Sequence, residues 1–399
     1  MKHHLIILAL AMPQWSMPSP ELTLESAYKS IEKYEYASAC RLYTQAYEQA
    51  SSNSEIILSL GFALKKMNRY QEAIALYEHA RPFVARKSQI ERALSGAYLA
   101  LGDYEHGWPA YEYRWVNPPN YNQEFKDYLA HGGSLKNKIV LLKTEYGLGD
   151  TLQFIRYAQI LKEKGARVII ESQQALAPLL SLCPYIDEIH PQGAVIPAHF
   201  IVLLMSMPWA MQTNAATIPV KTPYLYADQT LVTEWKNQID HTSFNIGICW
   251  QADKHINSDN QTVVRDAQEK SIPVSLLNQL SQLPRVKLYS LQKTADELPE
   301  EYHIQQFKGL DTAHGPFMDT AALMRNLDLV ITIDTSIAHL AGGLGVPCWL
   351  LLCHGADWRW LHNRDESPWY PGMRLFRQKV SGNWDAVVEE VKNALKKKI

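Results

Sequence analysis

The sequence contains few cysteines and no excess of basic residues. Its 399 residues include five cysteines, an odd number, and these are widely separated and show no C-x-x-C spacing. A disulfide framework and a cysteine-based metal site are therefore both disfavoured. The 39 lysine and arginine residues are balanced by 41 acidic residues, which excludes the strongly basic composition typical of nucleic-acid-binding proteins. We expect a globular protein with buried, reduced thiols and no nucleic-acid partner.

Long apolar runs are also scarce. No segment approaches the roughly 20 consecutive apolar residues that a membrane-spanning helix requires, so no membrane span is predicted. The first 20 residues combine a short basic start with an apolar run at residues 5–12. This run is short for the core of a signal peptide, and no A-x-A cleavage pattern follows it. We expect residues 1–20 to be a disordered N-terminal segment of a cytoplasmic protein, with a secretion signal as the alternative.

The first third of the chain contains an internal repeat. The segments YASACRLYTQA, YQEAIALYEHA and YEHGWPAYEYR begin 34 residues apart. In each segment a small residue precedes, by one helical turn, a tyrosine. These pairs are Ala39 and Tyr43, Ala73 and Tyr77, and Gly107 and Tyr111. The pattern resembles the tetratricopeptide repeat, a helical hairpin, and predicts an all-α domain over residues 21–117. A plain amphipathic helical bundle is the alternative.

Stacks of such hairpins present a concave surface that suits peptides. The repeats therefore predict a protein or peptide partner. After them, residues 118–137 contain paired prolines and a glycine pair, which are typical of a linker.

Beyond the linker the pattern changes to short runs rich in Val, Ile and Leu, such as KIVLLKT, ARVIIES and DLVITID, which alternate with helical stretches. This alternation indicates parallel sheets covered by helices. We predict two such α/β units, over residues 138–226 and 227–399.

Two loops that follow predicted strands carry polar residues suited to a ligand. In parallel sheets, ligands lie beyond the carboxyl ends of the strands. One loop is EYGLGD, which ends at Asp150, and the other begins with Asp334, Thr335 and Ser336, followed one turn later by His339. The start of a helix after the second loop would accept a phosphate or another anion. Simple helix capping is the alternative for both loops, and a core position is the alternative for His339.

These residues also carry a family resemblance. The motifs GLGD, KSIP and DTSIAHLAGGLGVP are similar to those of family 9 glycosyltransferases, the ADP-heptose:lipopolysaccharide heptosyltransferases. The longer segments GLGDTLQFIRYA, DWRWL and SPWYPGMRLFRQ resemble bacterial proteins that join tetratricopeptide repeats to that module, and the resemblance runs from about residue 21 to the C-terminus. It implies the GT-B fold, in which two Rossmann-like lobes face each other. It also implies inverting transfer without a metal or other cofactor, and the sequence contains no D-x-D motif.

The resemblance implies roles for individual residues. Asp150 would be the general base, and Lys270 would neutralise the leaving diphosphate, with Lys254 and Arg265 as competing candidates in the same loop. The residues matched on the acceptor side are Gly147, Gly149 and Gln153, and those matched on the donor side are Trp250, Lys270, Ser271, Asp334, Thr335, Ser336 and His339.

Together these expectations describe an enzyme that moves a sugar from a nucleotide-sugar donor to a hydroxyl group on a protein bound by the repeats. The first α/β unit would hold the acceptor and the second the donor. Two alternatives remain open. The acceptor could be lipopolysaccharide or another glycan, or the chain could be a catalytically inactive scaffold.

Overall fold

The computed structural model describes residues 20–115, 119–252, 261–293 and 297–399. Its N-terminal region is helical, and the predicted segment 1–20 lies outside the described residues except for Pro20. The helices of this region are α1 (Pro20–Glu32), α2 (Tyr36–Gln49), α3 (Ser54–Lys66), α4 (Tyr70–Ala80), α5 (Lys87–Ala100), α6 (Tyr104–Tyr111) and α7 (Asn120–Ala130).

Helices α2, α4 and α6 begin at Tyr36, Tyr70 and Tyr104, which reproduces the 34-residue spacing of the sequence repeat. Small residues lie where neighbouring helices approach closely. A Cβ atom added to Gly61 on α3 would lie 2.2 Å from Cζ of Tyr77 on α4, so the tyrosine ring occupies the space that a side chain would need. Tyr77, the aromatic residue of the second repeated pair, therefore serves packing between helices.

Helix α7 lies within residues 118–137, which the sequence analysis predicted to be a linker. Phe125 on this helix is fully buried. The Asn122 side chain accepts a 2.9 Å hydrogen bond from the Leu203 amide and donates to the Glu112 carboxylate at 3.1 Å. These contacts join the helical region to the first sheet, and they explain why a segment without a strong local pattern is helical here.

The first lobe is built on a parallel four-stranded sheet with strand order β3-β2-β1-β4. Leu141 of β1 pairs with Ile169 of β2, and both are buried. The strands are β1 (Ile139–Lys143), β2 (Arg167–Ser172), β3 (Glu188–Pro191) and β4 (Phe200–Leu203). The helices of this lobe are α8 (Leu148–Phe154), α9 (Arg156–Glu163), α10 (Ala177–Leu180) and α11 (Met207–Ala210).

The second lobe is built on a parallel six-stranded sheet with strand order β10-β9-β8-β5-β6-β7. Its central strand β8 is buried at every position, as expected for a parallel sheet covered on both faces. The strands are β5 (Phe244–Cys249), β6 (Val286–Ser290), β7 (Ile304–Gln305), β8 (Leu329–Ile333), β9 (Cys348–Leu352) and β10 (Met373–Arg377). The helices are α12 (Gln229–Lys236), α13 (Gln261–Lys270), α14 (Val274–Asn278), α15 (Met318–Met324), α16 (Ser336–Leu344) and α17 (Trp384–Lys398).

The predicted combination of an N-terminal helical region with two parallel α/β units is confirmed. All five cysteines are free and buried. In the described part of the chain, no helix has the length and apolar character needed to cross a membrane.

Candidate active site

The two loops that the sequence analysis selected meet in the structure. Helix α8 follows β1 and helix α16 follows β8, and the two helices pack against each other. A Cβ atom added to Gly149 would lie 3.0 Å from Cδ2 of His339 and 3.5 Å from Cα of Ser336. Glycine is therefore needed here for close approach of the helices. This contact accounts for Gly149 without the substrate contact predicted for it.

Asp150 lies in the first turn of α8, and its two carboxylate oxygens have different partners. Oδ2 accepts a 2.9 Å hydrogen bond from the Gly147 amide, which caps the helix. Oδ1 accepts a 2.6 Å hydrogen bond from Nη2 of Arg359. The side chain remains 21% exposed. Because a carboxylate offers about four lone-pair positions, Asp150 can still accept a proton from a third group.

The pKa of Asp150 is raised above its ordinary value. Burial in the surrounding protein is the main cause, while the Arg359 guanidinium and the Gly147 amide lower the pKa in part. A carboxylate with a raised pKa is a stronger base. This environment therefore suits proton transfer better than that of a solvent-exposed aspartate would.

Arg359 is a site residue that the sequence analysis missed. It belongs to a short 3₁₀ segment, Trp358–Trp360, and only 9% of it is exposed. Its Nε donates to Oε1 of Gln153 at 2.7 Å, and its Nη1 donates to Oδ1 of Asp357 at 2.9 Å. Arg359 therefore fixes this segment of the second lobe against α8 of the first. The segment DWRWL was part of the family resemblance above, but no role was predicted for its arginine.

Gln153 is fully buried behind Arg359. The structure therefore does not support the predicted contact between Gln153 and a substrate. Its side-chain oxygen instead orients the guanidinium that pairs with Asp150.

Lys270 is the last residue of α13 and pairs with Asp334, which directly follows β8. The distance from Nζ to Oδ2 is 2.9 Å, and 31% of the lysine side chain is exposed. Burial disfavours the lysine charge, but the negative charges of Asp334 and Asp357 outweigh it and raise the pKa of Lys270. Lys270 thus remains a cation beside the start of α16.

The two competing cations are placed differently. The guanidinium of Arg265 lies 5.6 Å from the centre of the Phe62 ring, against the helical region. Lys254 lies outside the described residues. Among the described candidates, Lys270 is therefore the one that reaches Asp334.

The N-terminus of α16 is suited to an anion. Thr335 precedes the helix in extended conformation, and in the described structure its side chain accepts no hydrogen bond from the first-turn amides. Asp334, Thr335 and Ser336 are all partly exposed. Uncapped amides at a helix start carry partial positive charge and bind phosphate well. We call Asp150, Lys270, Asp334, Asp357 and Arg359 the charged cluster.

Trp250 and Ser271 have structural positions. Trp250 is 7% exposed, and its carbonyl accepts from the Ile272 amide at 2.9 Å. The Ser271 hydroxyl donates to the Ala267 carbonyl at 2.7 Å and accepts from the Ala252 amide at 3.1 Å. Both residues tie the end of β5 to the end of α13. The donor contacts predicted for Trp250 and Ser271 stay predictions.

His339 belongs to α16 and faces both α8 and the segment around Trp360. It is 5% exposed, its ring stacks on Trp360 at 5.3 Å, and its Nδ1 hydrogen-bonds the Tyr370 hydroxyl at 2.7 Å. Burial and the nearby Arg359 charge hold the pKa of His339 well below its ordinary value, so the ring is neutral. The hydrogen bond to Tyr370 engages Nδ1, and the contact of His339 with a phosphate stays a prediction.

Two exposed aromatic residues lie at the loop that leads to Asp150, and one of them, Tyr146, belongs to the loop. Trp115 and Tyr146 are 40% and 60% exposed, and their rings stack 6.1 Å apart. Tyr146 has φ +53°, a left-handed conformation that is unusual for an aromatic residue. The Trp115 indole donates to the buried Glu145 carboxylate at 2.7 Å. This aromatic pair was not among the residues predicted from the sequence.

We expect Gly149→Ala to destabilise the fold by about 1–3 kcal/mol, because the added methyl group meets His339 and Ser336 across the contact between α8 and α16. Alanine normally favours a helix over glycine, so Gly96→Ala on α5 is a matched control. There the nearest atom to the new Cβ is the flexible Nζ of Lys65, at 3.6 Å. Denaturant unfolding of both variants measures the difference. Wild-type stability of the Gly149 variant would mean that α8 and α16 do not touch.

No protein-family model matches the chain. Protein FlbA of Caulobacter vibrioides is 26% identical over 344 residues, which cover 77% of this chain and 55% of FlbA. The chain thus spans about half the length of this relative. A family 9 glycosyl transferase structure from Veillonella parvula matches 66% of this chain and 97% of its own, with a TM-score of 0.45 and 12% identity.

A second solved structure is that of TibC from enterotoxigenic Escherichia coli, an iron-containing dodecameric glycosyltransferase. It matches 66% of this chain and 78% of its own, with a TM-score of 0.43 and 15% identity. TibC has also been solved in complex with ADP-D-β-D-heptose.

TibC contradicts one expectation. The family resemblance implied an enzyme without a metal, whereas this neighbour contains iron. Within the residues that the structure describes, no group of three or more His, Cys, Asp or Glu side chains is placed to hold a metal ion. The described side chains therefore do not fit an iron site, and we assign none of them to a metal.

Proposed function

We propose that the protein is a glycosyltransferase of the GT-B type that moves a sugar from a nucleotide-sugar donor to a hydroxyl group. The observation that carries this proposal is the meeting of Asp150 with the anion-accepting start of α16 within one charged cluster. A base and a diphosphate site are the two elements that such a transfer needs on opposite sides of one sugar.

On the donor side, the diphosphate would bind the amides of the first turn of α16. Lys270 would contact its oxygens, in exchange for part of its pairing with Asp334. The leaving nucleotide gains negative charge as the glycosidic bond breaks, so a fixed cation and oriented amides lower the barrier. The raised pKa of Lys270 keeps this cation charged throughout the neutral range.

On the acceptor side, Asp150 would take the proton of the attacking hydroxyl. That oxygen attacks the anomeric carbon from the face opposite the departing diphosphate, so the configuration inverts. The base must lie within roughly 3 Å of the hydroxyl. Arg359 and the Gly147 amide hold the carboxylate in one orientation for this step.

The acceptor that we propose is a protein held by the helical region, which we regard as a tetratricopeptide-repeat domain because of its 34-residue spacing. One observation favours a glycan acceptor instead. Trp115 and Tyr146 are exposed and stack on each other at the loop that leads to Asp150, and amphipathic aromatic side chains bind ligands that are partly apolar, as sugar rings are. The five buried, free thiols are compatible with the cytoplasm, which remains our proposed location.

A donor-binding experiment tests the proposal. We expect one of the ADP-, GDP-, UDP- or CMP-sugars to raise the melting temperature, because a ligand at 100 times its Kd stabilises the folded state by about 2.7 kcal/mol. Lys270→Ala should weaken this binding. Lys308→Ala should not, since Lys308 lies in the same lobe with 90% of its side chain exposed. If no donor stabilises the wild type, the proposed function fails, and the result favours the alternative that the chain is a catalytically inactive scaffold.

A further inference from the structure

Helix α13 of the second lobe packs against the N-terminal helical region. The Tyr34 hydroxyl, between α1 and α2, donates to the Arg265 carbonyl and lies within hydrogen-bond distance of Gln268 Oε1, both at 3.3 Å. Arg265 also lies over the Phe62 ring of α3. A cleft of about 860 Å³ remains beside this contact, bounded by α1, α3 and α13. Part of the surface that repeats of this kind offer to a partner is therefore occupied by the chain itself.

A buried ion pair anchors the last turn of α13 to the repeats. Nζ of Lys66, the last residue of α3, lies 2.5 Å from Oε2 of Glu269 and 3.7 Å from Oδ1 of Asp266. The exposed fractions of the Lys66 and Glu269 side chains are 14% and 6%. An ion pair that is this well shielded from water depends on both partners, because removal of one leaves a buried charge without compensation.

The anchored residue is the immediate neighbour of the lysine in the charged cluster. Glu269 points to the helical region, whereas Lys270, next in the chain, points to Asp334 at 2.9 Å. The loop after β9 adds a second constraint, since a Cβ atom on Gly355 would lie 2.8 Å from Cα of Lys66. One helical turn thus connects the repeats with the start of α16.

We propose that Lys66 is a positioning residue for Lys270. By holding Glu269, it fixes the last turn of α13 and keeps the Lys270 ammonium at the anion-accepting start of α16. The helical region is then a structural part of the donor site as well as a surface for a partner. This inference rests on the proposed function, because it assigns Lys270 to the diphosphate.

The first test is the affinity of Lys66→Ala for ADP, GDP, UDP and CDP, measured by calorimetry. We expect affinity for the nucleotide that the wild type prefers to fall about 10- to 100-fold, since loss of one charge-assisted hydrogen bond, here from Lys270, has an effect of about this order. Lys29→Ala is the matched control. It removes a lysine from the same helical region, but the side chains of its ion pair with Glu25 are 65% and 61% exposed, so little stability depends on that pair.

A charge exchange separates positioning from general damage to the fold. Lys66→Glu combined with Glu269→Lys restores the ion pair in the opposite direction, and we expect it to recover most of the nucleotide affinity that Lys66→Glu alone loses. Failure to recover affinity in a folded double variant would overturn the inference. So would wild-type affinity in a folded Lys66→Ala variant.

Amide hydrogen exchange provides a readout that needs no nucleotide. We expect Lys66→Ala to speed exchange at residues 264–271, while exchange in α12 of the same lobe stays unchanged. If Lys66→Ala does not fold, Lys66→Arg and Glu269→Gln replace it in this experiment. We expect the amides of α13 to exchange more slowly in Lys66→Arg, which keeps the ion pair, than in Glu269→Gln, which loses it. If the wild type binds no nucleotide but α13 loses protection as expected, the proposed function fails and the anchoring role stands. Unchanged protection of α13 overturns the anchoring role.

Discussion

Replacement of Asp150 by asparagine is expected to lower the rate of sugar transfer by about 10²- to 10⁴-fold, the usual contribution of a general base. Asparagine has nearly the same size and can still accept the hydrogen bond from the Gly147 amide, so the start of α8 should be preserved. Affinity for the nucleotide donor should remain close to that of the wild type, because we propose that α16 and Lys270 make the diphosphate contacts. Single-turnover kinetics with a radiolabelled donor, together with calorimetric donor binding, measures both quantities.

Asp228→Asn is a matched control for this variant. Asp228 also caps a helix, since its Oδ1 accepts from the amides of Thr230 and Leu231 at 2.8 and 3.1 Å. It precedes α12 and has no part in the charged cluster, so its replacement should leave transfer unchanged. If Asp150→Asn transferred sugar at the wild-type rate, Asp150 would be a helix cap alone. Equal losses of transfer and donor binding would indicate a structural role.

Replacement of Arg359 by glutamine is expected to affect both stability and the pH dependence of transfer. Arg359 is buried and pairs with Asp150 and Asp357. Loss of one partner of a buried ion pair typically costs 3–5 kcal/mol, and we expect a destabilisation of about this size. Denaturant unfolding measures it.

The pH dependence follows from the direction of the pKa shift. In the proposed mechanism transfer requires a deprotonated Asp150, so the rate should rise as the pH rises through the pKa of Asp150. Arg359 lowers that pKa, and without the guanidinium it should be higher. The acidic limb of the rate profile should therefore move to higher pH in Arg359→Gln. An unmoved limb would exclude Asp150 as the titrating base.

Two further variants sharpen the interpretation of Arg359. Arg359→Lys keeps the positive charge but loses the planar guanidinium with its several hydrogen-bond donors. Compared with Arg359→Gln, we expect its acidic limb to lie closer to that of the wild type, while its stability stays below that of the wild type. Arg167→Gln removes an arginine whose ion pair with Glu188 is 58% exposed at the arginine. This control should change neither quantity appreciably, because exposed ion pairs contribute little.

Much of the fold was predictable because strands in parallel sheets are short apolar runs. The run at β8 is buried at every position, and its sequence LVITI is apolar at four of its five residues. Helix α7 was not predictable in the same way. Its order depends on Asn122 and Phe125, whose partners lie far along the chain in the first lobe. Local composition around the paired prolines indicated only a linker.

The site was predictable where it depends on the ends of strands, and less so where it depends on distant partners. Asp150 and the Asp334 loop follow predicted strands of two different sheets. That the two loops meet was implied by the family resemblance, with its two facing lobes, and not by the strand pattern. Arg359 reaches Asp150 across 209 positions of sequence, and no local pattern shows that pairing. His339 had the right spacing for a ligand contact, but a hydrogen bond to Tyr370 and stacking on Trp360 place it in the core.

The most direct test of the account is a crystal structure with the nucleotide sugar that stabilises the protein most. We expect the diphosphate to bind the first-turn amides of α16, with Lys270 beside it. The transferred sugar should then lie between that diphosphate and the Asp150 carboxylate. A diphosphate bound away from α16, or a sugar directed away from Asp150, would contradict the account.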